Sequence, residues 1–301
     1  MDLEAHRSFL KSIAYRMTGT VSDADDVVQE AFARTIAHPP PDQSRPLRPW
    51  LVRVTMNVAR DQLRRRRRRG YHGPWLPGVV DDSALDVGVD LGDSAEDRYG
   101  KKESVTFAFL IAIEALSPLQ RAVLVLREVF DFSGAQTAEA LGLTEGNAKT
   151  VLSRAKKALR AYDIHRVIPD DQRTARDADT LQRFMMALAT DDVTTALAML
   201  KHDVVGLTDG GMFRAARVPL LGAERLLHVL RGLMRYWPVG SFEVQVLVLN
   251  AQPAIVMRSF AMAEGYGPLW VILVDTAADG LITTVHALGA TEKLLGLPPS
   301  A

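Results

Sequence analysis

Three blocks of hydrophobic patterning follow one another along the chain. In the first, Phe9, Leu10, Ile13, Ala14 and Met17 recur at three- and four-residue spacing and stop at Gly19, which is the period of a helix with one buried face. Ser22 and Asp23 open a second helix whose apolar side is Val27, Val28, Ala31 and Phe32. A breaker-rich stretch, 38–49, precedes a third helix that carries Trp50, Leu51, Val54, Val58 and Leu63 and runs into six consecutive arginines, Arg64 to Arg69. The spacing predicts an all-helical region over residues 1–72.

Residues 73–100 hold Gly, Pro, Asp and Ser with no sustained period, as a linker does. Helical patterning returns over 101–165. Ser133 starts a short helix (Ala135, Ala138, Leu141), Gly142 breaks it, and Thr144 caps a longer helix reaching Arg160. Helix, glycine turn, helix is the helix-turn-helix pattern. Its second helix has Val151, Leu152, Ala155 and Leu159 on one side and polar or basic residues elsewhere, a distribution suited to a DNA major groove. In the last block, 166–301, helical periods over 181–200 and 223–234 give way to strand-like runs at 242–249, 254–260, 269–274 and 281–288. The expected fold class is therefore multidomain: two all-α domains, then an α+β domain with a curved antiparallel sheet around its helices.

Acidic and basic residues balance at 36 each, which excludes a globally basic coat. Locally the charges segregate: ten arginines face one acid, Asp61, over 45–72, whereas seven acids and no Lys or Arg lie over 73–97. Six like charges at helix pitch repel one another, so the run is expected to meet a polyanion. The acidic linker, with Asp81, Asp82, Asp86 and Asp90, either keeps clear of that polyanion or competes for the same surface. The chain has no cysteine, which removes disulfides and thiolate metal sites. The first residues lack a secretion pattern, and no apolar run approaches the roughly 18 residues of a membrane span. The expectation is a cytoplasmic protein without membrane contact, cofactor or metal.

The segment Asp23 to Phe32, followed by Pro49 to Leu63 with its arginine tail, resembles region 2 of the extracytoplasmic-function RNA polymerase sigma factors. Leu116 to Val129 through Ala138 to Arg160 resembles region 4, and the two occur in the family's order. The resemblance implies binding to the clamp and flap of core RNA polymerase and to promoter DNA, both duplex and locally melted. It assigns Asp23, Asp26, Val27, Gln29, Glu30 and Phe32 to the polymerase. Asn57, Arg60, Asp61 and Arg64, Arg65, Arg66, Arg67 and Arg68 go to the minus-10 element. Glu145, Asn147, Lys149, Thr150, Ser153, Arg154 and Lys157 go to the minus-35 element. Opening a duplex needs phosphate neutralisation and a surface for exposed bases; the arginine run supplies the first.

The last block resembles the SnoaL-like cone fold carried by a SigJ-like subgroup of these sigma factors, where it is associated with regulation in cis without a separate anti-sigma factor. Two of the subgroup's landmarks are present, Trp75-Leu76-Pro77 in the linker and Asp209-Gly210-Gly211. The linker motif departs at Gly78-Val79-Val80, and Gly289 to Leu294 stands where the subgroup has Asn-Pro-Asp. Related cone folds include polyketide cyclases, and Asp209, Tyr236, Trp237, Tyr266, Trp270 and His286 are candidates to line such a cavity, with Asp209 and His286 as a proton-exchanging pair. Asp209 is more simply a turn residue and His286 a satisfied strand residue, so no catalytic residue and no enzyme activity is expected. The alternative is a ligand-sensing or enzymatic SnoaL-like domain fused to a DNA-binding regulator.

Overall fold

The computed structural model describes residues 2–70, 74–81, 100, 102–166, 168–236, 240–261 and 264–298. The chain forms two compact units, residues 1–70 with 80–168, and residues 71–79 with 169–301.

The first unit opens with helix α1 (Arg7–Thr18), closed by Gly19 at φ 82°, a left-handed conformation that glycine adopts freely. Helix α2 (Val21–Ala37) starts one residue earlier than expected, because the Thr20 hydroxyl accepts from the Asp23 N–H and caps it. Helix α3 (Leu47–Arg69) begins inside the stretch read as a breaker. Pro49 is its third residue, where a missing N–H leaves no intrahelical bond unmade. Five further helices, α4 (Phe107–Ala112), α5 (Pro118–Glu128), α6 (Gly134–Leu141), α7 (Glu145–Ala158) and α8 (Arg160–His165), complete the unit together with single 3₁₀ turns. Capping boxes at Ser117 with Gln120 and at Ser133 with Gln136 start α5 and α6, and Gly142 (φ 65°) stops α6. Helix α3 packs on α1, α2, α5 and α6, so the two helical regions share one core. The small residues Ala138 and Ala140 of α6 are buried, which permits close helix approach.

In the second unit, the helix expected over 181–200 divides into α9 (Asp171–Ala189) and α10 (Val193–Ala198). Asp191, at φ 56° and paired with Arg231, turns the chain between them. Strands β1 (Leu200–Asp209) and β2 (Leu220–Leu221), helix α11 (Ala223–Met234), and strands β3 (Phe242–Leu249), β4 (Gln252–Ser259), β5 (Leu269–Thr276) and β6 (Ile282–Leu288) follow. They form one sheet of order β2-β1-β6-β5-β4-β3. The sheet is mixed rather than wholly antiparallel as expected, because β1 runs parallel to β6. Phe184 and Leu188 of α9, Leu226 and Leu227 of α11, and Ile255, Met257, Val274 and Val285 of the sheet share its core. Among the described residues no helix is long and apolar enough to cross a membrane.

Candidate nucleic-acid interface

Thr144 caps α7 by accepting from the Asn147 N–H, and Ala148, Val151 and Ala155 bury one face of the helix. The spacing leaves Glu145, Asn147, Lys149, Thr150, Ser153, Arg154 and Lys157 exposed, so all seven residues assigned to the minus-35 element lie on open surface. Lys156 differs: its ammonium pairs with the buried Glu128 at 2.9 Å and ties α7 to α5.

The structure splits the arginine run. Asn57, Arg64, Arg65, Arg67 and Arg68 are exposed, and Asp61 pairs with Arg64 at 2.8 Å; residues 57, 61, 64 and 68 follow one helical face. Arg60 is half-buried, and burial, reinforced by Arg64, lowers its guanidinium below the ordinary arginine range. Arg66 is half-buried and turns inward, and Arg67, though exposed, reaches the same segment. Arg66 donates to the Thr18 carbonyl at 2.7 Å and to Glu114 Oε1 at 2.6 Å, and Arg67 donates to the carbonyls of Glu114 and Leu116. The same Glu114 oxygen accepts from Arg121, which is fully buried and also donates to the carbonyls of Ile113 and Met17. Burial pushes the Arg121 guanidinium down to about 10, against the attraction of Glu114. Glu114 thus joins the end of α3 to the start of the helix-turn-helix region. Neither Glu114 nor Arg121 stands out in the sequence as a linchpin, since each sits in an ordinary amphipathic pattern.

On α2, Asp26, Gln29 and Glu30 are exposed, and Asp23 is half-buried with its carboxylate accepting from Gln62. Val27 and Phe32 were expected on the same docking surface; instead they are 0% and 6% exposed and belong to the core. Helix periodicity puts them behind the acidic face, where they support it from within.

The linker residues Trp75, Leu76 and Pro77 lie with the second unit. Asp209 Oδ2 accepts from the Leu76 N–H at 3.2 Å and from Lys293 Nζ at 2.5 Å. Lys293 also donates to the Leu76 carbonyl, its own carbonyl accepts from Val79, and its ammonium lies 4.8 Å from the Trp75 ring centre. The second Asp209 oxygen accepts from the Gly211 N–H. Gly211 sits at φ 58° with the Ala290 side chain directly against it, so a larger residue is excluded on both counts. Lys293, which sequence reasoning missed, stands in the segment that replaces the subgroup's Asn-Pro-Asp. Of the linker acids, Asp82, Asp86 and Asp90 lie outside the described residues.

Asp209 and His286 do not form the candidate proton-exchanging pair, in line with the simpler reading of each. Asp209 is held by Lys293, and His286 Nε2 lies 2.7 Å from Asp275 Oδ2. Tyr266 and Trp270 do line a cavity, Tyr236 stacks on Tyr266, and Trp237 lies outside the described residues. Burial alone would raise the Asp275 carboxyl, but the charge and hydrogen bond of His286, the Gln252 amide and Arg173 outweigh it, leaving the group below its ordinary range. A carboxyl lowered in the folded state contributes stability above about pH 4 that is lost as pH falls through the folded value. Asp275→Asn is accordingly expected to melt earlier at pH 7 and to lose less on acidification; a variant following the parent's profile between pH 2 and 5 would assign that profile to other groups.

The family model for Sigma-70 region 2 matches residues 3–69, and that for Sigma-70, region 4 matches 107–159. ECF RNA polymerase sigma factor SigJ of Mycobacterium tuberculosis is 31% identical over 309 residues, covering 99% of this chain and 93% of its own. SigG of the same organism is 29% identical, with 99% and 83% covered. The crystal structure of the M. tuberculosis extracytoplasmic function sigma factor SigJ superposes with a TM-score of 0.73 at 28% identity, over 98% of both chains. Two helical regions in that order, an exposed recognition helix and a C-terminal α+β unit matched over nearly the full length leave one assignment: the chain belongs to the ECF RNA polymerase sigma factors, promoter-recognition subunits of the transcription machinery, and to their SigJ type.

Proposed function

We propose that this sigma factor binds core RNA polymerase through Asp23, Asp26, Gln29 and Glu30, reads the minus-35 element with α7, and opens the minus-10 element with α3. Its C-terminal unit regulates that activity in cis by holding the Trp75-Leu76-Pro77 linker. The observation that carries the regulatory part is the buried Asp209–Lys293 pair closed on the backbone of Leu76. A domain that grips the connection between the two DNA-reading regions controls how far they can separate.

Distance makes that control consequential. The two promoter elements lie about 25 base pairs apart, roughly 85 Å at 3.4 Å per pair. A compact unit of about 160 residues has a radius of gyration near 15 Å and spans roughly 40 Å. Helices α3 and α7 belong to one such unit, so reading both elements at once requires the unit to open, with loss of the Glu114 and Leu116 contacts to Arg66 and Arg67. On this reading the C-terminal unit takes the part of an anti-sigma protein, and none is required separately. Transcription with core polymerase from the full chain and from a chain ending after Tyr162 tests it; equal promoter output and equal core affinity would remove the regulatory role.

The residue roles have their own test. Lys149→Ala and Arg154→Ala are each expected to lower output from a minus-35-dependent promoter about 5- to 100-fold, the loss of one base or phosphate contact. Output unchanged in both would displace the reading face from these turns of α7.

A further inference from the structure

The C-terminal unit holds a cavity of about 270 Å³, open to solvent on one side, between α9, α11 and one face of the sheet. Phe184, Leu188, Leu230, Met257, Trp270 and Val285 give it an apolar wall. Of its polar lining residues, Thr208 spends its hydroxyl proton on the Ala216 carbonyl at 2.7 Å. Arg214 is the lining cation. Its guanidinium has no carboxylate partner among the described residues.

The position of Arg214 is built by its surroundings. Its backbone N–H donates to the Gly265 carbonyl at 2.8 Å. Gly265 adopts φ 86°, and a Cβ there would meet Arg214 Nε at 2.8 Å and Cδ at 3.2 Å. The positive φ favours glycine here, and the missing Cβ lets the arginine stem lie directly against the loop. The loop therefore holds a cation at the edge of an apolar chamber. An apolar chamber of this size stays dry or takes an apolar body, whereas an unpaired guanidinium selects a carboxylate through a fork of N–H donors.

We propose that the cavity binds a small monocarboxylate with an apolar body, its tail against Phe184, Leu230 and Trp270 and its carboxylate at Arg214. At about 30 Å³ per water-sized heavy atom the volume holds roughly nine such atoms, so the ligand class is a medium-chain or single-ring carboxylic acid. The proposal stands independently of the linker contacts and of the DNA-binding roles.

Octanoate and 1-octanol, titrated calorimetrically into the full chain, test it. Octanoate is expected to bind at least tenfold more tightly than the alcohol, and Arg214→Gln, an exposed position, to erase that margin while leaving the alcohol unchanged. Ala287→Leu, which fills the cavity from β6, is expected to weaken both ligands by tenfold or more. Absence of octanoate binding at about 1 mM, an equal affinity for the two ligands, or octanoate binding indifferent to both substitutions would overturn the proposal. The last outcome would assign the acid to another basic surface, such as the exposed arginines of α3.

Discussion

Asp209→Asn is expected to lower the melting temperature of the C-terminal unit by roughly 10–15 °C and to open residues 74–79 to proteolysis. The Asp209 and Lys293 side chains are 2% and 4% exposed, and the substitution leaves the desolvated Lys293 ammonium facing neutral groups, the Leu76 carbonyl and the Trp75 ring among them, in place of its carboxylate. Removing one member of a buried pair costs about 3–5 kcal/mol, because the remaining charge stays where water cannot reach it. At a few degrees per kcal/mol for a unit of this size, that gives the shift quoted. Asp209→Asn with Lys293→Met should recover much of the loss, since no uncompensated charge remains. A single variant melting within 2 °C of the parent, with Trp75 equally protected from chymotrypsin, would show that the pair holds nothing.

Glu114→Gln should have a comparable effect in the first unit, with a functional sign as well. Arg121 is fully buried and depends on Glu114 for its only described ionic partner, so the amide leaves its charge uncompensated at a cost of about 3–4 kcal/mol. The same change removes the carboxylate that Arg66 pairs with, and with it one of the ties that keep α3 against the helix-turn-helix region. Arg66→Gln separates the two consequences. That pair is partly exposed, and its loss should cost about 1 kcal/mol or less. Promoter output with core polymerase is expected to rise in both variants, while thermal stability falls substantially in Glu114→Gln alone. If output stays level in Arg66→Gln, the tie does not limit opening.

Helix periodicity made the first unit legible, because its helices bury one face in the ordinary way and carry their own caps at Thr20, Ser117, Ser133 and Thr144. Strands β3 to β6 were legible from their Val- and Ile-rich runs. Strand β1 was not read as a strand from its residues: in Leu200-Lys-His-Asp-Val-Val-Gly-Leu-Thr-Asp209 three polar residues follow the first leucine, and its parallel pairing with β6 follows a long crossover that no local pattern announces. The candidate site divided along the same physical line. Exposed residues of α7 follow from helical spacing, whereas the hydrogen bonds of Arg66 and Arg67 depend on a glutamate 47 to 48 positions away. Lys293 was hidden for a related reason. A lysine in a polar terminal segment reads as a surface residue until a buried aspartate and a backbone carbonyl are brought to it by the fold.

The Leu76 contacts also set a timetable. The Asp209 carboxylate reaches back 133 residues to the Leu76 N–H, and Lys293 reaches back 217 to its carbonyl. Both σ-like regions are complete by residue 168, yet the linker grip waits for residue 293, about 125 residues later. At ribosomal speeds of about 5–20 residues per second, each newly made chain spends roughly 6–25 s with its DNA-reading regions synthesised and the grip absent. The last loop to close is thus the one around the helix-turn-helix region, and a chain cut short at its C-terminus never leaves the ungripped state.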